Sequence, residues 1–283
     1  MSSAFLPTRR FIRIGGEAAF DFLQNLITTD LESLPDGEAR AGALLTPQGK
    51  ILFDFLIARD GAGYRLETDK DQLEALLRRL TMYKLRAAVD LKADEVEGVS
   101  VYWGDPIPPP HAIKDGRFAK ADMALYRVPG KNSEGDKASY DALRIANGIA
   151  ESGSDYALQD AFPHDVLMDV NDGVSFRKGC FVGQEVVSRM KHRGTARRRV
   201  VVVSAEDTLP PTSTEIMAGG KPIGTLGTVI GNNAIAIIRT DRAADAMASS
   251  TAMTAGDVAV SVALPQWTGL GFPSTDPLAS AED

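Results

Sequence analysis

The chain has 283 residues, 44% of them hydrophobic and 24% charged, and a formal net charge of −7, a balance that suits two or three soluble domains and argues against a surface gripping nucleic acid or lipid throughout. Its single cysteine points to a reducing compartment and excludes a disulfide framework or a one-chain site built on several cysteines; with His111, His164 and His192 far apart, no intrinsic metal is expected. No apolar run nears the ~20 residues of a membrane span, and Met1 to Arg13 lacks the apolar core of a secretory signal.

In chain order, Phe11 to Ile14 reads as a short strand and Glu17 to Ile27 as an amphipathic helix, with Ala18, Phe22, Leu23, Leu26 and Ile27 on one stripe. Ala41 to Leu45 and Ile51 to Ala58 are β-like and joined by a turn at Thr46-Pro47-Gln48-Gly49-Lys50. Tyr64 to Thr68 adds a strand, Asp71 to Tyr83 a helix, and Ala87 to Leu91 and Val99 to Trp103 return to strand. Asp105 to Pro110 is a proline-rich break. Beyond it Met123 to Val128 is β-like, while Ser139 to Gly148 and Val182 to His192 are helical, the latter closed by Gly194 as a left-handed C-cap. After Thr195 come short strands at Arg199 to Ser204, Glu215 to Met217, Ile223 to Ile230, Ala234 to Ile238 and Val258 to Leu264, the pattern of a small β-barrel or sandwich. From about Pro265 the composition predicts an extended or disordered tail.

The lone cysteine, Cys180, stands in Arg177-Lys178-Gly179-Cys180-Phe181-Val182-Gly183-Gln184-Glu185, beside two cations and ahead of a helical run. Helix N-termini and neighbouring cations favour a thiolate, which would make the sulfur nucleophilic; a free cysteine equally serves as a small buried filler. Arg189, Lys191, Arg193, Arg197, Arg198 and Arg199 form a basic cluster suited to an acidic partner, with no interleaved aromatics to support nucleic-acid binding.

The run Gly173 to Glu185, continued by Ser188-Arg189-Met190-Lys191-His192-Arg193-Gly194, resembles the signature of YgfZ-type folate-binding proteins. That family supports iron–sulfur cluster assembly or repair and is similar in fold to the T-protein of glycine cleavage, an aminomethyltransferase. A weaker likeness covers Phe22-Leu23-Gln24 with Thr29-Asp30, Pro47-Gln48-Gly49-Lys50, and Leu143-Arg144-Ile145 with Gly148. The resemblance implies an α+β fold of two intertwined lobes with a C-terminal β-barrel and a central folate cavity. On that basis the first lobe is placed at 1–104, the second at 105–194, the barrel at 195–265 and a tail at 266–283.

Tetrahydrofolate or a derivative is the cofactor the resemblance implies. A carboxylate suits the paired N–H donors of a pterin, and Asp165 stands where the relatives carry a glutamate two residues after a proline. Arg144 matches a family arginine that would meet the tail carboxylates of folate. Lys178, Gln184 and Glu185 of the motif and Asp54 complete the ligand candidates. T-protein relatives carry adjacent aspartates where this chain has Phe53-Asp54, which opposes efficient aminomethyl transfer. Cys180 is the candidate functional thiol, since the YgfZ-type proteins share it and the T-proteins do not. Three readings follow: a folate-dependent maintenance factor acting with the iron–sulfur machinery or its client enzymes, a one-carbon transferase, and a partner-docking adaptor. The expected location is the cytoplasm, or the mitochondrial matrix in a eukaryote.

Overall fold

A computed structural model describes residues 2–104 and 107–273. The chain divides into two compact units, one of residues 1–140, 158–163 and 168–189, the other of residues 141–157, 164–167 and 190–283. The architecture is α+β.

The first unit is built on a nine-stranded sheet. Its strands are β1 (Ser2–Leu6), β2 (Arg9–Gly15), β3 (Glu38–Leu45), β4 (Ile51–Asp60), β5 (Gly63–Asp69), β6 (Asp90–Ala93), β7 (Val99–Trp103), β8 (Ile113–Asp115) and β9 (Leu125–Pro129). They lie in the order β1-β7-β9-β8-β3-β4-β5-β2-β6. The expected boundary at 104/105 therefore falls inside this sheet, because β8 and β9 pair with strands from the earlier segment; Asp105 and Pro106 of the proline-rich break lie outside the described residues. Helices α1 (Ala19–Gln24) and α2 (Lys70–Lys84) supply apolar stripes to one face. There Leu23, Leu76 and Leu80 meet Phe53, Phe55 and Ile57 of β4, with Asp69 capping α2 by accepting from the Asp71 amide. Because Leu56 and Ala58 are buried too, β4 reads as a continuous apolar run rather than an alternating one. Residues beyond those faces hold a charge cluster: Glu67 pairs with Arg9 and Arg127, and Asp115 with Arg127 and Arg117. Burial raises both carboxyls, but Arg127 and Arg9 outweigh it at Glu67, as Arg117 and Arg127 do at Asp115, and both end below their ordinary values. A short α3 (Gly116–Ala119) follows β8.

The second unit holds a seven-stranded sheet made of β10 (Arg198–Ser204), β11 (Glu215–Ala218), β12 (Lys221–Ile230), β13 (Asn233–Arg239), β14 (Met253–Ala255), β15 (Val258–Ala259) and β16 (Ser261–Ala263). Their order is β15-β14-β11-β12-β13-β10-β16, so the two edge strands are neighbours in sequence, separated by Val260 alone. The single closing strand expected at 258–264 is in fact broken at that residue, and the break lets one segment serve both edges and nearly close the barrel. Val201, Val203, Ile223, Leu226, Ala236 and Ile238 fill its inside, and α6 (Thr240–Ala248), not expected from the sequence, adds Ala243 and Ala246. The predicted tail is ordered at its start. Gln266–Thr268 form a 3₁₀ turn, the Trp267 indole donates to the Asn147 carbonyl (2.8 Å), and Phe272 packs on the barrel core. Residues 274–283 of that tail lie outside the described residues. Two helices complete the fold, α4 (Lys137–Ala146) and α5 (Gln184–His192). No helix among the described residues is long and apolar enough to cross a membrane.

Candidate functional site

Cys180 lies on the surface, in the loop that leads into α5. The gap-filler reading of this thiol is thereby corrected: its neighbour Gly179 is exposed as well, and a Cβ there would meet nothing within 4 Å. The expected start of the helix is corrected too. It begins at Gln184, so residues 181–183 stand between the thiol and the first helical turn, where the dipole effect is concentrated.

What fixes this loop is Lys178. Its ammonium donates to the carbonyls of Ile27 and Thr29, both at 2.8 Å, and sits 5.6 Å from the centre of the Phe181 ring. Burial pulls this group down to about 8, with Asp30 opposing the change. Lys178 is thus turned into the first unit and pins the loop from beneath. Ser175 adds to the hold: its amide donates to the Thr28 carbonyl (2.9 Å) and its hydroxyl accepts from the Arg177 and Lys178 amides. The receiving segment is itself braced. Gln24 donates to Asp30 Oδ1 (2.8 Å) and accepts from the Leu31 amide (2.9 Å), while Thr28 bonds the Gly173 carbonyl and the Ala43 amide. The scattered motifs around Gln24, Asp30 and Lys178 therefore form one structure.

A second joint explains two glycines. Gly183 has φ +79°, and a Cβ there would sit 2.5 Å from the Thr46 carbonyl oxygen and 3.0 Å from Gly49 Cα. Gly49, also at φ +79°, would place its Cβ 3.0 Å from Val186 of α5. Only bare backbone lets the Thr46–Lys50 turn and the start of α5 come this close. Of the motif's other residues, Gln184 opens α5, half-buried, with its amide on the Phe181 carbonyl (3.2 Å), and Glu185 is exposed and paired with Arg189.

The remaining ligand candidates fall in both units. Asp54 on β4 accepts at Oδ1 from Gln72 of α2 (2.8 Å), a partner sequence reasoning did not single out, and the neighbouring Phe53 is buried in the apolar core. Asp165, in the second unit, is 2% exposed; its carboxylate stands 3.8 Å from Arg198, and its carbonyl accepts from the Val200 amide. Arg144, in the same unit, is fully buried among its own partners. It bonds Asp141 (2.8 Å), Asp155 (2.5 Å) and the Thr228 hydroxyl, and Glu151 lies 3.8 Å away. Among the described residues no group of three or more histidine, cysteine, aspartate or glutamate side chains is placed to hold a metal.

Residues 197–270 match the family model of the CAF17 C-terminal β-barrel domain. The chain is 29% identical, over 83% of its length, to an iron–sulfur cluster assembly factor IBA57 homologue, mitochondrial, of Pyricularia oryzae, of which the match covers 70%. Against the mouse mitochondrial IBA57 the identity is 28%, covering 93% of this chain and 84% of that one. The homologue of Coccidioides immitis is 31% identical over 73% of this chain but only 57% of its own length. In structure the chain is similar to the glycine cleavage system aminomethyltransferase T of Bartonella henselae, with a TM-score of 0.68 at 16% identity, covering 93% and 85% of the two chains. That likeness fixes the fold and leaves the activity open.

Proposed function

From the premise that the chain is a YgfZ-type protein, we propose that it supports the assembly or repair of iron–sulfur proteins through the thiol of Cys180. The observation that carries this reading is the exposed thiol on a loop held by Lys178 and Ser175. A nucleophile or soft ligand offered to a second protein needs this combination of access and fixed position. The stoichiometry also constrains the chemistry. Iron–sulfur clusters take about four protein ligands, and this chain has one cysteine; a cluster passing through Cys180 therefore draws its other ligands from the machinery or client it meets.

Tetrahydrofolate or a derivative is the ligand proposed alongside, with Asp165 as the residue that takes the aminopyrimidine edge. A carboxylate this buried makes a strong charge-assisted pair with two parallel donors. The donor set fits folate in part: Asp165 has the right chemistry, whereas Arg144 and Lys178 direct their charges to partners inside their own units and do not serve the folate tail. Aminomethyl transfer is not favoured, because the position beside Asp54 holds a core phenylalanine and no second carboxylate.

The decisive experiment is complementation. A strain lacking this gene should lose aconitase and radical iron–sulfur enzyme activity, recover it with the wild type, and fail to recover it with Cys180→Ala expressed at the same level. Full recovery by Cys180→Ala overturns the thiol role. For the ligand, calorimetric titration with tetrahydrofolate should show binding that Asp165→Asn loses; unchanged affinity removes Asp165 from the site.

A further inference from the structure

The C-terminal end of α2 and the turn after it present a surface that none of the described residues covers. Met82 is 62% exposed, Tyr83 38% and Leu85 87%; among the described residues the other large exposed hydrophobics are Ile107 and Met247. Three such side chains within four positions are not the singly scattered apolar residues of an ordinary surface. Leu85 takes φ +48°, a left-handed conformation that a branched side chain adopts at a cost, and it does so at the end of the helix with its side chain in solvent. On α2 itself Glu74, Leu77, Arg78, Thr81 and Met82 share one open, shallow face.

The charges around this patch are as informative as its apolar tip. Arg78, Arg79, Lys84 and Arg86 make no ion pair and no side-chain hydrogen bond among the described residues. Many other arginines of the first unit find carboxylates: Arg9, Arg13, Arg65, Arg117 and Arg127 are each paired. Four uncompensated cations thus rim an exposed apolar cluster on a chain whose net charge is −7. A mainly cationic flank, with Glu74 the exception, around a desolvatable centre is the layout of an interface, with the charges setting orientation and on-rate and the apolar centre the affinity.

We propose that this end of α2 docks a second protein whose contact face carries an apolar side chain ringed by carboxylates. The apolar side chain packs on Met82, Tyr83 and Leu85, and the carboxylates meet Arg78, Arg79, Lys84 and Arg86. Met82 and Leu85 supply adaptable packing of the kind docking surfaces use. A protein is favoured over an anionic bilayer because the net charge of −7 opposes adsorption of the chain to an anionic surface, whereas carboxylates on a partner can be placed opposite the four cations and away from Glu74. This surface is independent of Cys180, so its test and the complementation test fail separately.

A photoreactive benzoyl-phenylalanine placed at Met82 of the full chain, irradiated in cells and analysed by mass spectrometry of the linked peptides, reads the contact directly. Adducts should concentrate on one other protein, at a segment with aspartates or glutamates flanking an aliphatic or aromatic residue. Pairing Arg78→Glu with Arg86→Glu, or irradiating a cell lysate brought to 0.5 M salt beforehand, should cut the yield about tenfold or more, as expected for a screened multi-charge contact. Reversing the partner's carboxylates to lysine should restore the yield against the glutamate variant. Linkage to a second copy of this chain, sedimentation of the wild type with phosphatidylglycerol vesicles, adducts on basic segments, or no discrete adduct each overturns the proposal. Leu85→Asp serves as a second variant: it should lose the adduct at unchanged melting temperature, and an undiminished adduct counts against the patch.

Discussion

Replacing Arg144 by methionine removes the cation that holds three acidic side chains in the second unit. Asp155 is the critical partner. Its side chain is 1% exposed, one oxygen accepts from the Thr228 amide (2.8 Å) and hydroxyl (2.7 Å), and the other from the Glu151 amide (2.7 Å) and from Arg144. Without the guanidinium those neutral donors remain, but the buried charge is uncompensated. Asp141 and Glu151 are 12% and 18% exposed and can turn to water more readily. Methionine keeps much of the apolar stem, so little of the loss comes from an empty cavity. Breaking a buried ion pair by deleting one partner costs about 3–5 kcal/mol, which for a unit of this size lowers its melting temperature on the order of 10 °C or more.

The assay can isolate the unit concerned. The chain has two tryptophans, Trp103 in the first unit and Trp267 in the second. In a Trp103→Phe background the fluorescence of Trp267, whose indole is bonded to Asn147, follows the second unit alone. Asp155→Asn added to Arg144→Met should recover part of the loss, since the asparagine keeps an acceptor and discards the charge. A loss under about 1 kcal/mol, or no recovery in the double variant, refutes the reasoning. If a stable Arg144→Met instead lost tetrahydrofolate affinity, the guanidinium would face ligand rather than its own carboxylates.

The other predictions concern the first unit. Glu67 and Asp115 lie below ordinary carboxyl values when folded, so their contribution is complete above about pH 4 and is lost as the pH falls through the folded values; acid unfolding read by Trp103 should steepen there, and Glu67→Gln should flatten it. Lys178 is depressed to about 8 in the fold, so between that value and the ordinary value of about 10.4 the unfolded chain binds the extra proton and stability rises with pH. The neutral amine keeps two donors for the Ile27 and Thr29 carbonyls; a carbon-13 titration of the lysine Cε signals showing every lysine near 10 would end this account. Gly183→Ala should cost about 1–3 kcal/mol through strain and collision with Thr46. Gly194→Ala, at φ +57° with nothing near its Cβ, should cost no more than about 1 kcal/mol. Equal urea midpoints for the two glycine variants would contradict the joint between the Thr46–Lys50 turn and α5.

Residue patterns made the elements legible where the determining interactions are local. Leu73, Leu76, Leu77 and Leu80 mark one stripe of α2, and the Gly194 amide, bonded to the Lys191 carbonyl, closes α5 as its position in sequence implied. The strand at 258–264 was legible as β but not as two strands, because its break at Val260 serves the closure of a barrel whose other edges lie far off in sequence. Alanine-rich α6, Thr-Asp-Arg-Ala-Ala-Asp-Ala-Met-Ala, gives a small-residue face in place of the large apolar stripe that helix reading relies on.

The same distance argument governs the candidate site. Long cations take their direction from whatever acceptors the fold delivers: Arg144 from Thr228, 84 positions away, and Lys178 from carbonyls at 149 and 151 positions. From the motif, two cations beside a cysteine read as a tuned thiol; in the fold, one of them is the anchor that leaves the thiol standing out. The motif was therefore legible as a unit, while the division of labour inside it was not. Gly183 completes the point, since its requirement for bare backbone exists only because the Thr46–Lys50 turn lies against it. With Lys178 on one side and Gly183 on the other, the loop holds one exposed sulfur in a fixed position.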